Sequence, residues 1–140
     1  MASNIRWRRI ILAAIQLEIA IIGVAVPVGI VAGNPLSAQP GEPPVDGTVY
    51  YVVVALACLL LGAVFGAWSV RGARSGLALQ GLIVGLMAMA LYLGLCATAP
   101  GGIAGVIAGY GLANFVMFNA LRTLGCVAGA AYWGRGRAAS

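Results

Sequence analysis

Histidine and lysine are absent from this chain of 140 residues, and only three of its residues are acidic. Without imidazole, the chain lacks the commonest protein ligand of zinc and haem iron and the commonest general base of enzymes. Its three cysteines, Cys58, Cys96 and Cys126, stand apart in apolar segments and form no C-x-x-C motif. We therefore expect no cofactor, no metal and no enzymatic activity, and cysteines that act as small apolar side chains.

Apolar residues make up 62% of the chain and charged residues 8%, with a mean hydropathy of +1.02. This composition is typical of integral membrane proteins and leaves room for a single domain over residues 1–140. The net charge of +5 comes from arginines that flank apolar runs in short clusters. Because these arginines do not line one polar face, the charge indicates membrane topology, and we expect no nucleic-acid partner.

Four apolar stretches are long enough to cross a bilayer, whose hydrocarbon core of about 30 Å needs roughly 20 helical residues. The predicted spans are residues 10–32, 50–70, 77–99 and 111–133. Residues 33–48 contain four prolines and are predicted to form an outer loop. A cleaved signal peptide ending near Ala38 is the alternative, although the first apolar run is longer than a signal sequence needs.

The last apolar stretch, residues 103–133, would measure roughly 46 Å as one helix, which exceeds the bilayer core. Glycines crowd its first third. We therefore predict a short outer helix or re-entrant piece at residues 103–110 before the fourth span. The alternative is a span over residues 103–121, which would leave Arg122 at the inner surface.

Arginines flank the predicted spans on one side. These residues are Arg6, Arg8, Arg9, Arg71, Arg74, Arg135 and Arg137. Cytoplasmic segments of membrane proteins carry such an excess of positive charge. The sequence therefore predicts an all-α membrane protein, a bundle of four transmembrane helices with its N- and C-termini in the cytoplasm.

Glu18 and Arg122 are the two charged residues within the predicted spans. Counted from the cytoplasmic side, they lie about 13 Å and 16 Å deep. Either charge alone at the centre of a bilayer costs about 2.5 to 3.5 kcal/mol, so we expect them to pair. One interpretation is a static ion pair, and the other is a site where Glu18 exchanges a proton or binds a cation. A third arrangement leaves Arg122 reaching for the surface and Glu18 protonated.

Polar and small residues inside the spans predict contacts between helices, because neither gains from facing lipid. The polar residues are Gln16, Gln80, Asn114 and Asn119, and we expect Gln16 and Gln80 to form a hydrogen bond between the first and third helices. The alternative is that they line a solute pathway. Four G-x-x-x-G pairs also occur, namely Gly62 with Gly66, Gly81 with Gly85, Gly105 with Gly109, and Gly125 with Gly129. We expect the first two pairs to join the second and third helices, and the third pair to face an external partner.

The segment Ala13-Ala14-Ile15-Gln16-Leu17-Glu18, together with the helix count, resembles the small multidrug resistance transporters. In that family a glutamate of the first helix binds protons and cationic drugs in turn, so the resemblance implies this role for Glu18. Trp7-Arg8-Arg9 and Leu121-Arg122-Thr123-Leu124-Gly125 resemble the two ends of small, uncharacterised four-helix proteins of bacterial inner membranes. The second resemblance implies no activity.

Two functions follow as expectations from these features. The first is a non-enzymatic structural or accessory subunit that packs with itself or with a larger membrane complex, in contact with the lipid bilayer. The second is a proton-coupled transporter or pore for small cations or drugs, in which Glu18 carries the proton.

Overall fold

Five helices make up most of the computed structural model, which describes residues 5–34, 47–73 and 75–138 and the side chains as far as Trp133. In chain order the helices are α1 (Trp7–Ala32), α2 (Thr48–Ser69), α3 (Leu77–Thr98), α4 (Gly102–Tyr110) and α5 (Leu112–Ala138). No strand occurs in the ranges described.

Some predictions fall on residues outside this description. They concern most of the loop at residues 33–48, the arginine at position 74, and the side chains of Arg135 and Arg137. The signal-peptide alternative, with cleavage near Ala38, also falls there. These stay predictions.

Four of the helices are long and apolar enough to cross a membrane, namely α1, α2, α3 and the Leu112–Trp133 part of α5. Each begins and ends within a few residues of a span predicted from the sequence. Large apolar side chains on their outward faces are exposed, among them Ile30, Val31, Leu60 and Val64. Because soluble proteins rarely expose apolar surface on this scale, these faces indicate an all-α membrane protein.

The last apolar stretch is broken at Gly111, whose φ of +79° is open to glycine but strained for other residues. The predicted short helix before the break is α4 (Gly102–Tyr110). Arg122 lies in the middle of α5 and is buried. The structure therefore does not have the alternative arrangement, in which a span over residues 103–121 leaves Arg122 at a surface.

The helices are arranged with α1 and α5 on a diagonal. Both α2 and α3 pack against α5 on one side and against α1 on the other. Within the described residues, no Cα atom of α1 comes within 8 Å of one of α5. A contact between α1 and α5 therefore has to be made by long side chains across the centre of the bundle.

Glycines of α2 bring its backbone against that of α5. A Cβ added at Gly62 would lie 2.7 Å from the Arg122 carbonyl oxygen. A Cβ added at Gly66 would collide with the carbonyl oxygen of Cys126, one turn further along α5. Both glycines therefore leave room for the backbone of α5 rather than for a side chain.

Glycines of α3 bring its backbone against another side of α5. A Cβ added at Gly81 would lie 2.5 Å from the Cys126 carbonyl oxygen. A Cβ added at Gly85 would lie 2.8 Å from the Cα atom of Thr123. The two helices α2 and α3 thus approach α5 in the same manner.

The glycine pair of α5 completes these contacts. A Cβ at Gly125 would collide with the Leu59 carbonyl oxygen, and one at Gly129 with that of Ala63. Both carbonyl groups belong to α2. Glycines of α2 therefore face the backbone of α5, and glycines of α5 face the backbone of α2. We call the contacts that these six glycines make between α5 and its neighbours α2 and α3 the glycine seam.

The glycine seam corrects one prediction. Gly62 and Gly66 were expected to join α2 to α3, and so were Gly81 and Gly85, but all four face α5 instead. The prediction was wrong because it paired helices that are neighbours in the chain. Since α5 carries its own glycine pair and other small residues, two backbones can approach it closely from different sides.

The third glycine pair, at positions 105 and 109, lies in α4. A Cβ at Gly105 would lie 2.8 Å from the Pro100 carbonyl oxygen, so Gly105 packs against the turn between α3 and α4, and its contact with an external partner stays a prediction. Gly109 is half-buried on the same helix.

The two ends of the bundle differ in character. At one end, which we call the turn end, Arg6 and Arg9 both donate hydrogen bonds to the Arg71 carbonyl oxygen. The Arg71 guanidinium lies 4.9 Å from the centre of the Trp133 ring. At the other end, which we call the α4 end, α4 packs against α3 and α5. The arginines described at the bundle's surface thus gather at the turn end.

Candidate functional site

The structure brings Glu18 and Arg122 together at the centre of the bundle. The Nε atom of Arg122 lies 3.0 Å from Oε1 of Glu18, and Arg122 and Glu18 are 1% and 4% exposed. Since they belong to the diagonal helices α5 and α1, this ion pair bridges the two helices that have no close backbone contact. Residues near opposite ends of the sequence therefore meet because their depths along the helices match.

Arg122 has further partners within the bundle. Its Nη1 donates a hydrogen bond of 3.0 Å to Oδ1 of Asn119, and its Cζ lies 4.6 Å from the centre of the Tyr92 ring. Asn119 is held in turn, because its Nδ2 donates to the Phe115 carbonyl oxygen at 2.8 Å. The amide is thereby oriented with its oxygen towards Arg122, and the Tyr92 ring adds a cation–π contact. The guanidinium is thus oriented by Glu18, Asn119 and Tyr92 together.

Glu18 is less well satisfied than Arg122. The Nε–H group of Arg122 is not aligned with the carboxylate, and neither Oε1 nor Oε2 of Glu18 has a hydrogen-bond partner among the residues described. The contact is therefore an ion pair without a directed hydrogen bond. A buried polar atom without a hydrogen bond is unfavourable. A further hydrogen-bond donor that reaches Oε2 would remove this cost.

A cavity of about 210 Å³ adjoins the ion pair and extends towards the α4 end. Its lining comes from all five helices and the segment that follows α1. The residues are Glu18, Ile21, Ile22, Ala25, Val26, Asn34, Tyr50, Val54, Cys58, Tyr92, Tyr110, Phe118 and Arg122. We call it the central cavity. Its charged groups are those of the ion pair, and the rest of its wall is mostly apolar or aromatic.

Aromatic rings form much of the wall of the central cavity. The hydroxyl oxygens of Tyr50 and Tyr110 lie 2.8 Å apart, and their rings stack with centroids 5.9 Å apart. The Phe118 ring meets Tyr110 edge-on, also at 5.9 Å. Such stacked and edge-to-face pairs hold rings in fixed positions. The α4 helix thereby contributes to the cavity through Tyr110.

The predicted polar contacts between helices are not made as expected. Gln16 is exposed beside a groove lined by Phe65, Trp68 and Arg71. Gln80 is buried, and its Nε2 lies 3.5 Å from the Ser75 carbonyl oxygen. The expected bond between Gln16 and Gln80 is therefore absent from the described contacts. Gln16 and Glu18 are two residues apart, which corresponds to a rotation of about 200° around the helix axis. Because the side chain of Glu18 points into the bundle, that of Gln16 points outward.

The two asparagines also bond locally. Asn114 Nδ2 donates to the Tyr110 carbonyl oxygen at 2.9 Å, across the break between α4 and α5. Asn119 bonds within α5, to Phe115 and Arg122. Neither serves as the bridge between distant helices that the sequence suggested. Their amides instead satisfy backbone carbonyl groups and orient the arginine.

The aromatic wall is the part of the site that sequence reasoning missed. Tyrosines near helix ends fit an interfacial role, and Tyr50 lies near the start of α2. Tyr92 carried the available signal, because it lies six residues before the end of α3, about 9 Å into the helix. A tyrosine at that depth is beyond the usual interfacial belt and indicates a polar partner inside the bundle.

Metal ligands do not gather in the described part of the chain, where no group of three histidine, cysteine, aspartate or glutamate side chains is placed to hold an ion. Searches of known protein families, of curated proteins and of solved structures give no match to this chain. The resemblances drawn from short segments therefore stay predictions, and the function has to be inferred from the geometry of the site.

Proposed function

We propose that this chain is a non-enzymatic, multi-pass protein of the bacterial inner membrane, a structural or accessory subunit that packs with itself or with a larger membrane complex. The observation that supports this most is the ion pair of Glu18 and Arg122. These charges neutralise each other across the bundle, and Arg122 is further held by Asn119 and Tyr92. Charges arranged in this way suit a clamp between α1 and α5 more than a reacting pair.

The proposed orientation puts both termini and the turn between α2 and α3 in the cytoplasm. It rests on the arginines at the turn end, where Arg6 and Arg9 reach the backbone of Arg71. Positive charge is retained on the cytoplasmic side of membrane proteins. Trp7 and Trp68 lie at the same end, as expected for rings that favour the membrane interface.

A native-mass measurement on the protein extracted in mild detergent tests the accessory role. We expect an oligomer or a complex with other membrane subunits, which dissociates into the chain of 14.2 kDa under denaturing conditions. The same measurement on the Glu18→Gln variant distinguishes the effect of losing the ion pair from the effect of losing the surface that contacts other subunits. Glu18 is buried inside the bundle and does not belong to that surface. A monomer with no copurifying subunit across several detergents contradicts the accessory role.

A second function, proton-coupled transport of a small cation, is favoured by one observation. The central cavity reaches Glu18, whose carboxylate oxygens have no hydrogen-bond partner among the described residues. Transport requires the ion pair to open in one state, and Arg122 would then keep Asn119 and Tyr92 as partners. Flux of a cation into proteoliposomes should then stop in the Glu18→Gln variant. Flux that persists in this variant excludes Glu18 as the transporting group.

A further inference from the structure

The central cavity has the composition of a binding site that the accessory role does not require. We propose that it binds a neutral phenol, that is, an aromatic ring with a hydroxyl group attached to it, as in a simple phenol or a quinol. This hydroxyl group donates a hydrogen bond to Glu18. This inference is independent of the accessory role, because it concerns the inside of the bundle rather than its assembly. It rests on charge, hydrogen bonding, shape and access.

The charge of the site selects a neutral ligand. Glu18 and Arg122 are the charged residues of the described lining, and together they sum to zero. A bound cation would leave one positive charge uncompensated in a buried site, and a bound anion would leave one negative charge. An uncompensated charge in such surroundings is strongly unfavourable. A neutral ligand leaves the balance of the ion pair unchanged.

The hydrogen-bonding groups of the site select a ligand that donates. An ionised carboxylate only accepts hydrogen bonds, and neither oxygen of Glu18 has a hydrogen-bond partner among the residues described, although Glu18 is only 4% exposed. A hydroxyl group that donates to a carboxylate forms one of the stronger hydrogen bonds in proteins. The ligand therefore has a hydroxyl group at the end that meets Glu18.

The size and the walls of the cavity select an aromatic ring. A cavity of about 150 Å³ with apolar walls holds one benzene molecule, so about 210 Å³ accommodates a ring with one or two substituents. Tyr50, Tyr110 and Phe118 present fixed ring faces and edges to this space. Aromatic ligands gain from stacking and edge-to-face contacts with such rings. Ile21 and Val54 complete an apolar wall.

Access to the cavity runs along α1. Ile22 and Val26 line the cavity, yet they are 43% and 54% exposed on the outside of the bundle. The described wall is therefore thin on the side that faces lipid. A neutral phenol dissolves in bilayers and reaches the lipid-facing side of the cavity without crossing a charged surface. A charged ligand would not follow this path.

Fluorine NMR with four matched probes tests the proposal on the purified full-length protein in detergent. The probes are 4-fluorophenol, 4-fluorotoluene, 4-fluorobenzoate and (4-fluorophenyl)trimethylammonium, which share a ring but differ in donor and charge. We expect saturable broadening of the 4-fluorophenol signal. The affinity for 4-fluorotoluene should be weaker by about tenfold or more, because it has no hydrogen to donate to Glu18. The two charged probes should bind more weakly still.

Matched variants distinguish binding in the cavity from partitioning of the probe into the detergent micelle. Ala25 lines the cavity, so Ala25→Phe should fill it and abolish saturable binding of 4-fluorophenol. Ala90 is exposed on α3, so Ala90→Phe adds the same side chain elsewhere and should leave binding unchanged. Equal binding by the two variants overturns the proposal, because the probe is then outside the cavity. Tighter binding of the cationic or the anionic probe also overturns it. In addition, Glu18→Gln should reduce the preference for 4-fluorophenol over 4-fluorotoluene.

Discussion

The two sides of the bundle are held together in different ways. On the side of α5, glycines let backbones touch, so that a methyl group at Gly62, Gly81 or Gly129 would collide with a neighbouring carbonyl group. On the side of α1, contact across the centre is made by the side chains of Glu18 and Arg122, next to a cavity. Backbone contact leaves no free volume, whereas side-chain contact does. The bundle is therefore closely packed along the glycine seam and has space for a ligand next to α1.

The largest effect should come from breaking the bridge on the α1 side. Arg122→Gln removes one partner and leaves a buried carboxylate, so we expect it to reduce stability by about 3 kcal/mol or more. The exchange of the two charges, Glu18→Arg with Arg122→Glu, should recover much of the loss. The level of protein in membranes and its resistance to unfolding in detergent measure both effects.

Arg8 provides the matched control for the loss of an arginine, because its side chain is exposed. Arg8→Gln should leave stability within about 0.5 kcal/mol of the original. Normal accumulation of Arg122→Gln and Glu18→Gln, each alone, would contradict the role of the ion pair as a clamp.

The next largest effect should come from the glycine seam. Gly129→Ala places a methyl group against the Ala63 carbonyl group of α2, a backbone atom that cannot move aside by itself. We expect a loss of about 1 to 3 kcal/mol in unfolding free energy. Gly94→Ala is the matched control, because a Cβ there has no atom of the described chain within 4 Å.

Alanine favours helix over glycine by about 0.8 to 1.0 kcal/mol, so Gly94→Ala should leave stability unchanged or raise it. Equal losses in the two variants would show that α5 does not depend on close backbone contact. The comparison therefore separates packing from helix propensity.

The smallest effect should come from the tyrosines at the wall of the cavity. Tyr50→Phe removes one hydroxyl group and leaves that of Tyr110 without this partner, so we expect a loss of about 1 kcal/mol. Adding Tyr110→Phe should cause little further loss, since the interaction is already absent. Tyr51→Phe keeps the ring contacts with Tyr110 and Phe118 and serves as the control. Fully additive losses would mean that the two hydroxyl groups do not interact.

Much of the helical structure was predictable because it depends on one stretch of chain at a time. The lengths of the apolar runs predicted the four long helices, and the density of glycines predicted the break that the structure has at Gly111. The match in depth between Glu18 and Arg122 followed from counting residues along each helix at about 1.5 Å per residue. The partners of Gly66 and Gly85 were predicted wrongly, because a glycine pair marks a close contact without naming the helix that makes it.

The sequence by itself determined that this is a helical membrane protein with one acid and one base at the same level, because hydropathy and helical rise depend on the chain alone. The tertiary structure decided that α5 packs between α2 and α3, with α1 diagonal to it, and that four aromatic residues from separate helices enclose a cavity beside the ion pair. Lipid gives apolar faces no preference for one another, so the choice of neighbours depends on how backbones and side chains fit together. That fit exists only once the helices have assembled.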